Sequence, residues 1–134
     1  MAAHAKFSPS AASRSLHCPP SLLLGEQFKD EESIYAAEGT AGHALAEYLI
    51  KKYLKMRTRR PTSEFYTDEL IEAVEEYVTF VTEQIEAARR DCTTPLLSVE
   101  QRVDVSDYVS DCFGTADMMI VTNTLAHIID LKLG

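Results

Sequence analysis

The chain has 134 residues, 46% hydrophobic and 25% charged, with a formal net charge of −8. That length supports one domain core without disulfide staples, and the composition excludes disordered and fibrous classes. No apolar run exceeds four residues (Ile34–Ala37, Met118–Val121), so neither a membrane span nor a secretory leader is expected. Cys18, Cys92 and Cys112 show no CxxC spacing, which fits a reducing, cytoplasmic setting better than a disulfide framework or a self-contained zinc site.

Residues 1–33 read as a short helix and a loop. Ser8-Pro9-Ser10 starts the helix with a hydroxyl cap and a proline whose missing N–H is harmless there, and Cys18-Pro19-Pro20 stops it. Leu22 to Leu24 form an apolar patch, and Phe28 to Ser33 a charged, exposed stretch. Residues 38–90 hold two helices. The first, Glu38 to about Lys55, follows the spacing of Ala44, Leu45, Tyr48, Leu49 and Ile50, with Gly39 and Gly42 in its first turn allowing close approach of another segment. The second, Asp68 to Arg90, carries the apolar stripe Ile71, Val74, Val78, Val81, Ile85 and Ala88 and reads as scaffold. From Pro95 the period changes. Strands are expected at Leu96–Val105, Gly114–Val121 and Leu125–Leu133, the last two joined by a turn at Asn123-Thr124.

The fold class is therefore α/β, helices followed by a three-stranded mixed or antiparallel sheet. The chain ends at Gly134, directly after an apolar strand. The expectation is an N-terminal piece of a larger protein, or a shortened copy. The third strand's open edge would then be covered by a second copy or by a missing C-terminal part.

Charge is unevenly placed. Six of the thirteen bases fall between Lys51 and Arg60: Lys51, Lys52, Lys55, Arg57, Arg59 and Arg60. Eight acids and no base occupy Glu64 to Glu86. Either these are solvated helix faces, or the basic run meets a polyanion.

The chemistry concentrates near the C-terminus. On a third strand Ile128, Asp130 and Lys132 share one face, and a hairpin turning at Asn123-Thr124 brings Asp117 beside Asp130. Paired carboxylates repel and favour a hard cation between them, Mg²⁺ or Mn²⁺. A lysine beside such an ion can orient or deprotonate a water. His43, among small residues on the first long helix, would add an imidazole and tilt preference towards Mn²⁺; Glu47 shares its face. The plainer alternatives are an exposed Asp130–Lys132 ion pair and Asp117 as a turn residue.

Gly39-x-x-x-His43, Gly114-x-x-Asp117 and Asp130-x-Lys132, in that order, resemble the motif series of the RecB-like branch of PD-(D/E)XK nucleases. Closer still is a phage and prophage family of unknown function in that branch. That likeness adds Ser8-Pro9-Ser10, Cys18-Pro19, Ala37-Glu38-Gly39-Thr40, Val99-Glu100-Gln101-Arg102-Val103-Asp104, Phe113-Gly114-Thr115-Ala116-Asp117 and Ile129-Asp130-Leu131-Lys132.

The resemblance implies a restriction-endonuclease-like core, incomplete at the C-terminus because the usual Gln- and Tyr-bearing helix is absent. It implies metal ligation by His43, Asp117, Asp130 and the Leu131 carbonyl, with Lys132 as catalytic lysine and Glu38 and Gln101 as supporting residues. Cys18 matches the first cysteine of an iron–sulfur site found in some relatives, but the other ligands are missing and no cluster is expected. The expected function is divalent-metal-dependent hydrolysis of DNA, with Lys51 to Arg60 on the phosphate backbone. The alternative is a degenerate module that binds DNA or a protein without cutting. A purely structural helical protein with a small hairpin is the third.

Overall fold

A serine outside the expected helix sets where the first long helix begins. In the computed structural model, which describes residues 5, 7–28 and 33–133, Ser33 Oγ accepts the Ala36 N–H at 3.1 Å and caps a helix over Ile34–Tyr53. The helix therefore starts four residues before Glu38, and Gly39 and Gly42 lie in its interior, not in its first turn. The two glycines then differ. A Cβ on Gly42 would collide with Leu133 Cδ1, whereas one on Gly39 would meet nothing within 4 Å. Gly42 is thus where the last described residues press against the helix.

The chain divides into two compact units, Met1–Glu31 with Arg102–Thr115 and Glu32–Gln101 with Ala116–Gly134. In the first, a 3₁₀ turn over Pro9–Ala11 is capped by Ser8 and followed by α1 (Ala12–His17) and α2 (Ser21–Gly25). Cys18 ends α1, as the double proline predicts. The leucine patch folds into α2, a five-residue helix too short for periodicity to reveal. Gly114 packs against Pro9, with a Cβ position 3.1 Å from Pro9 Cγ and Cδ. The Arg102 guanidinium lies 3.8 Å from the centroid of the Phe113 ring. Of the stretch Phe28–Ser33, the central residues 29–32 lie outside the described residues.

The second unit holds the long helices, α3 (Ile34–Tyr53) and α4 (Asp68–Asp91). Thr67 caps α4, Asp68 and Glu69 sit at its positive end, and Arg89 and Arg90 at its negative end. Its predicted stripe faces inward, with Val74, Val81 and Ile85 wholly buried. The strands are β1 (Leu96–Asp104), β2 (Phe113–Val121) and β3 (Ala126–Ile129), in the order β1-β2-β3 in an antiparallel sheet. The architecture is α/β. β3 pairs with β2 in the register Met118↔Ile129, Met119↔Ile128, Ile120↔His127 and Val121↔Ala126. The connecting turn centres on Asn123-Thr124, with Thr122 N–H donating to the Leu125 carbonyl at 2.8 Å.

β3 is shorter than predicted: ladder pairing stops at Ile129, and Asp130 to Leu133 continue as irregular chain. The alternation nevertheless persists, because Leu131 and Leu133 turn inward and Asp130 and Lys132 outward. Two core clusters result. One joins Ile50, Val81, Ile85, Ala88, Met118 and Ile120; the other joins Leu45, Ala46, Leu70, Val74 and Leu131. No helix among the described residues is long and apolar enough to cross a membrane.

Ile85→Ala, which empties the centre of the first cluster, should cost about 2–5 kcal/mol in chemical denaturation. Gly39→Ala should stabilise by about 0.5–1 kcal/mol, since the helix gains propensity and nothing is displaced. Gly42→Ala should show less of that gain, because Leu133 must move.

Candidate metal centre

Asp117 is the one buried charged residue among the described residues, 8% exposed. It lies on β2, one residue before Met118. Since Met118 faces Ile129, extending the register by one sets Asp117 opposite Asp130, as the hairpin predicts. With the ladder ended, the Leu131 N–H donates to Asp117 Oδ2 at 2.6 Å. The carboxylate thus replaces a strand carbonyl and satisfies a buried backbone donor. Its other oxygen, Oδ1, is 3.1 Å from His43 Nδ1 on α3. With the proton on Nδ1, His43 donates to Asp117 and keeps a lone pair on Nε2; with Nδ1 bare, two lone pairs face each other and call for a cation between them.

The structure adds a residue that sequence reasoning passed over. One ligand atom each from His43, Glu100 and Asp117 lies within 4.8 Å of the others. Glu100 stands on β1 with φ 52°, in the left-handed region. That conformation breaks strand alternation. Val99 packs on the first core cluster, and Glu100, its neighbour, also reaches the helix side instead of the far face. Glu100 sits inside the quoted stretch Val99–Asp104, but period-two reasoning gives no reason to choose it over Gln101. Gln101 is exposed, and its neighbour carries the carboxylate that lies within 4.8 Å of a His43 ring nitrogen.

The remaining predicted residues separate. Asp130 stands beside Asp117, close enough for each to alter the other's proton affinity, and its carboxylate is paired with the Lys132 ammonium. Lys132 is 84% exposed along its side chain. At Leu131 it is the N–H that engages Asp117, and the side chain fills the second core cluster. Glu38 is half-buried earlier on α3, lining a hollow with Glu69, Leu70 and Leu133.

The basic run spans the end of α3 and the chain beyond it. Lys51 is ion-paired with Glu47 and half-buried, which argues against its use on a phosphate backbone. Lys52 lies 5.9 Å from the Tyr48 ring centroid. Lys55, Arg57, Arg59 and Arg60 are exposed beyond the helix end. Apart from Glu64, which precedes the helix, the acidic run is exposed on α4, where Glu72, Glu75, Glu76 and Glu83 line a shallow hollow with Phe80.

Electrostatics mark the centre as short of positive charge. Burial pushes the Asp117 carboxyl up, with Asp130 adding to this, against the Leu131 N–H and His43. Burial likewise raises Glu100, helped by Asp117 and Glu47 and opposed by His43 and Lys51. For Asp130 burial acts upward too, but the hydrogen bonds it accepts from Lys132 and Asp117 outweigh it and hold the group below the usual range. One imidazole and two or three carboxylates are a donor set for Mg²⁺ or Mn²⁺. Adjacent octahedral ligands on such an ion stand about 3 Å apart, and the three ligand atoms lie within 4.8 Å of one another.

An acid whose pKa is raised on folding binds more protons folded than unfolded, so its contribution to stability is present below the unfolded pKa of about 3.9 and is lost as pH rises through the folded value. Asp117→Asn keeps an acceptor for the Leu131 N–H and removes that titration. Relative to this variant, the wild type without metal should therefore lose stability as pH rises above the unfolded carboxylate value of about 3.9, read by urea denaturation at stepped pH. A difference that stays flat, or grows with pH, contradicts the buried-acid reading.

No solved structure matches the chain. Residues 4–134, nearly its whole length, match the sequence profile described as "Protein of unknown function (DUF2800)". The protein therefore belongs to the DUF2800 family.

Proposed function

We propose that the protein is a divalent-metal-dependent nuclease that hydrolyses DNA phosphodiester bonds. The observation that carries this reading is the convergence of His43, Glu100 and Asp117, with Asp130 and Lys132 beside them. The motif order resembling RecB-like PD-(D/E)XK nucleases supports it independently. His43, Asp117, Glu100 and Asp130 would hold the ion. A bound Mg²⁺ or Mn²⁺ supplies positive charge to a phosphate oxygen and makes a water more acidic.

The protein's own residues divide the remaining work. Asp117, held by the Leu131 N–H, fixes the spacing between sheet and helix. Lys132 is pushed upward by its hydrogen bond with Asp130, so it stays cationic. It therefore suits orienting the water and offsetting phosphate charge rather than removing a proton. Lys52, Lys55, Arg57, Arg59 and Arg60 remain exposed and can contact the backbone without reading sequence. The second reading, a module that binds DNA or a partner without cutting, is favoured by the exposure of Lys132 and by its engagement with Asp130.

Purified protein with Mg²⁺ or Mn²⁺ should degrade single- or double-stranded DNA, and chelation should stop it. Lys132→Ala should lower the rate about a hundredfold or more. Equal rates in wild type and Lys132→Ala remove that lysine from the mechanism. A wild type that binds Mn²⁺ but cuts neither substrate supports the non-cleaving module instead.

A further inference from the structure

α4 reads from sequence as scaffold, yet one residue on it reaches the candidate centre. Tyr77 is half-buried and packs against both core clusters, the one around Met118 and the one containing Leu131. A phenol in that position needs a partner for its hydroxyl. The Tyr77 O–H donates to the Ile129 carbonyl at 3.5 Å. Ile129 is the last residue of β3, paired with Met118, and Asp130 follows it directly. Past this point β2 no longer guides the chain by ladder bonds. The next tether is the Leu131 N–H on Asp117, so Asp130 lies between two side-chain anchors, Tyr77 before it and Asp117 after it.

We propose that Tyr77 is the positioning residue of the Asp130-Leu131-Lys132 segment, its phenol holding the end of β3 so that Asp130 and Lys132 stand at a fixed distance from Asp117. The consequence for metal binding rests on the function proposed above; the anchoring itself does not. At 3.5 Å the bond is long, and its value is directional, since ring packing already fixes the phenol. Burial, with the charges of Asp117, Asp130 and Glu100, pushes Tyr77 far up, so the hydroxyl remains a donor at any working pH.

The test compares wild type, Tyr77→Phe and Tyr66→Phe as full chains. Tyr66 packs on the second cluster, and its buried hydroxyl has no hydrogen-bond partner among the described residues, so Tyr66→Phe removes the same atom without removing an anchor. Amide hydrogen exchange without metal should rise about three- to tenfold at Leu131 in Tyr77→Phe and stay at the wild-type rate in Tyr66→Phe. Mn²⁺ affinity, titrated by the EPR signal of the free ion, should fall about ten- to a hundredfold in Tyr77→Phe alone, with the melting temperature within a few degrees of wild type. Unchanged Leu131 exchange in Tyr77→Phe, or an equal rise in both variants, overturns the proposal. A wild type that binds no Mn²⁺ defeats the metal reading, while the exchange comparison still decides the role of Tyr77.

Discussion

A buried carboxylate that stands in for a strand is the constraint on which the rest of this structure turns. Where β3 gives up its ladder after Ile129, Asp117 accepts the Leu131 N–H and so tethers the chain two residues further on. Burying an acid is unfavourable unless it is hydrogen-bonded and balanced by charge. The Leu131 donor meets the first need, and His43 meets the second only in part, since Asp117 remains raised.

The helices decide which groups share that place. α3 is fixed by Ser33 at its start and by the packing of Leu45, Ala46 and Ile50 along its length. That packing turns His43, Glu47 and Lys51, spaced four apart, towards the edge where Asp117 and Glu100 lie. Leu131 and Leu133 then fasten the segment carrying Asp130 and Lys132 onto the same helices, the second of them over Gly42. The acid-and-lysine pair is held from below by apolar contacts, so both polar ends project outward from a buried base.

Much of this could be read from the residues alone. The stripe on α4 and the Asn123-Thr124 turn were strong periodic and turn signals, and the hairpin register they imply does bring Asp117 against Asp130. The rest depended on features with no periodic trace. The early start of α3 rests on a single serine cap. The short α2 rests on three leucines after a proline. Glu100 enters the centre through one left-handed residue that reverses the strand's alternation, which a pattern of period two does not reveal. Tyr77 was hidden because a half-buried aromatic on an apolar stripe looks like core until its hydroxyl is traced to a carbonyl.

The central claim is that His43, Asp117 and their neighbouring acids enclose one hard cation. A crystal equilibrated with millimolar Mn²⁺ and measured at the manganese absorption edge tests it most directly. The account predicts one strong anomalous peak about 2.1 Å from an Asp117 oxygen and in bonding contact with a His43 ring nitrogen. An empty position there at full Mn²⁺ concentration, or ions found only on the exposed glutamates of α4, would contradict it.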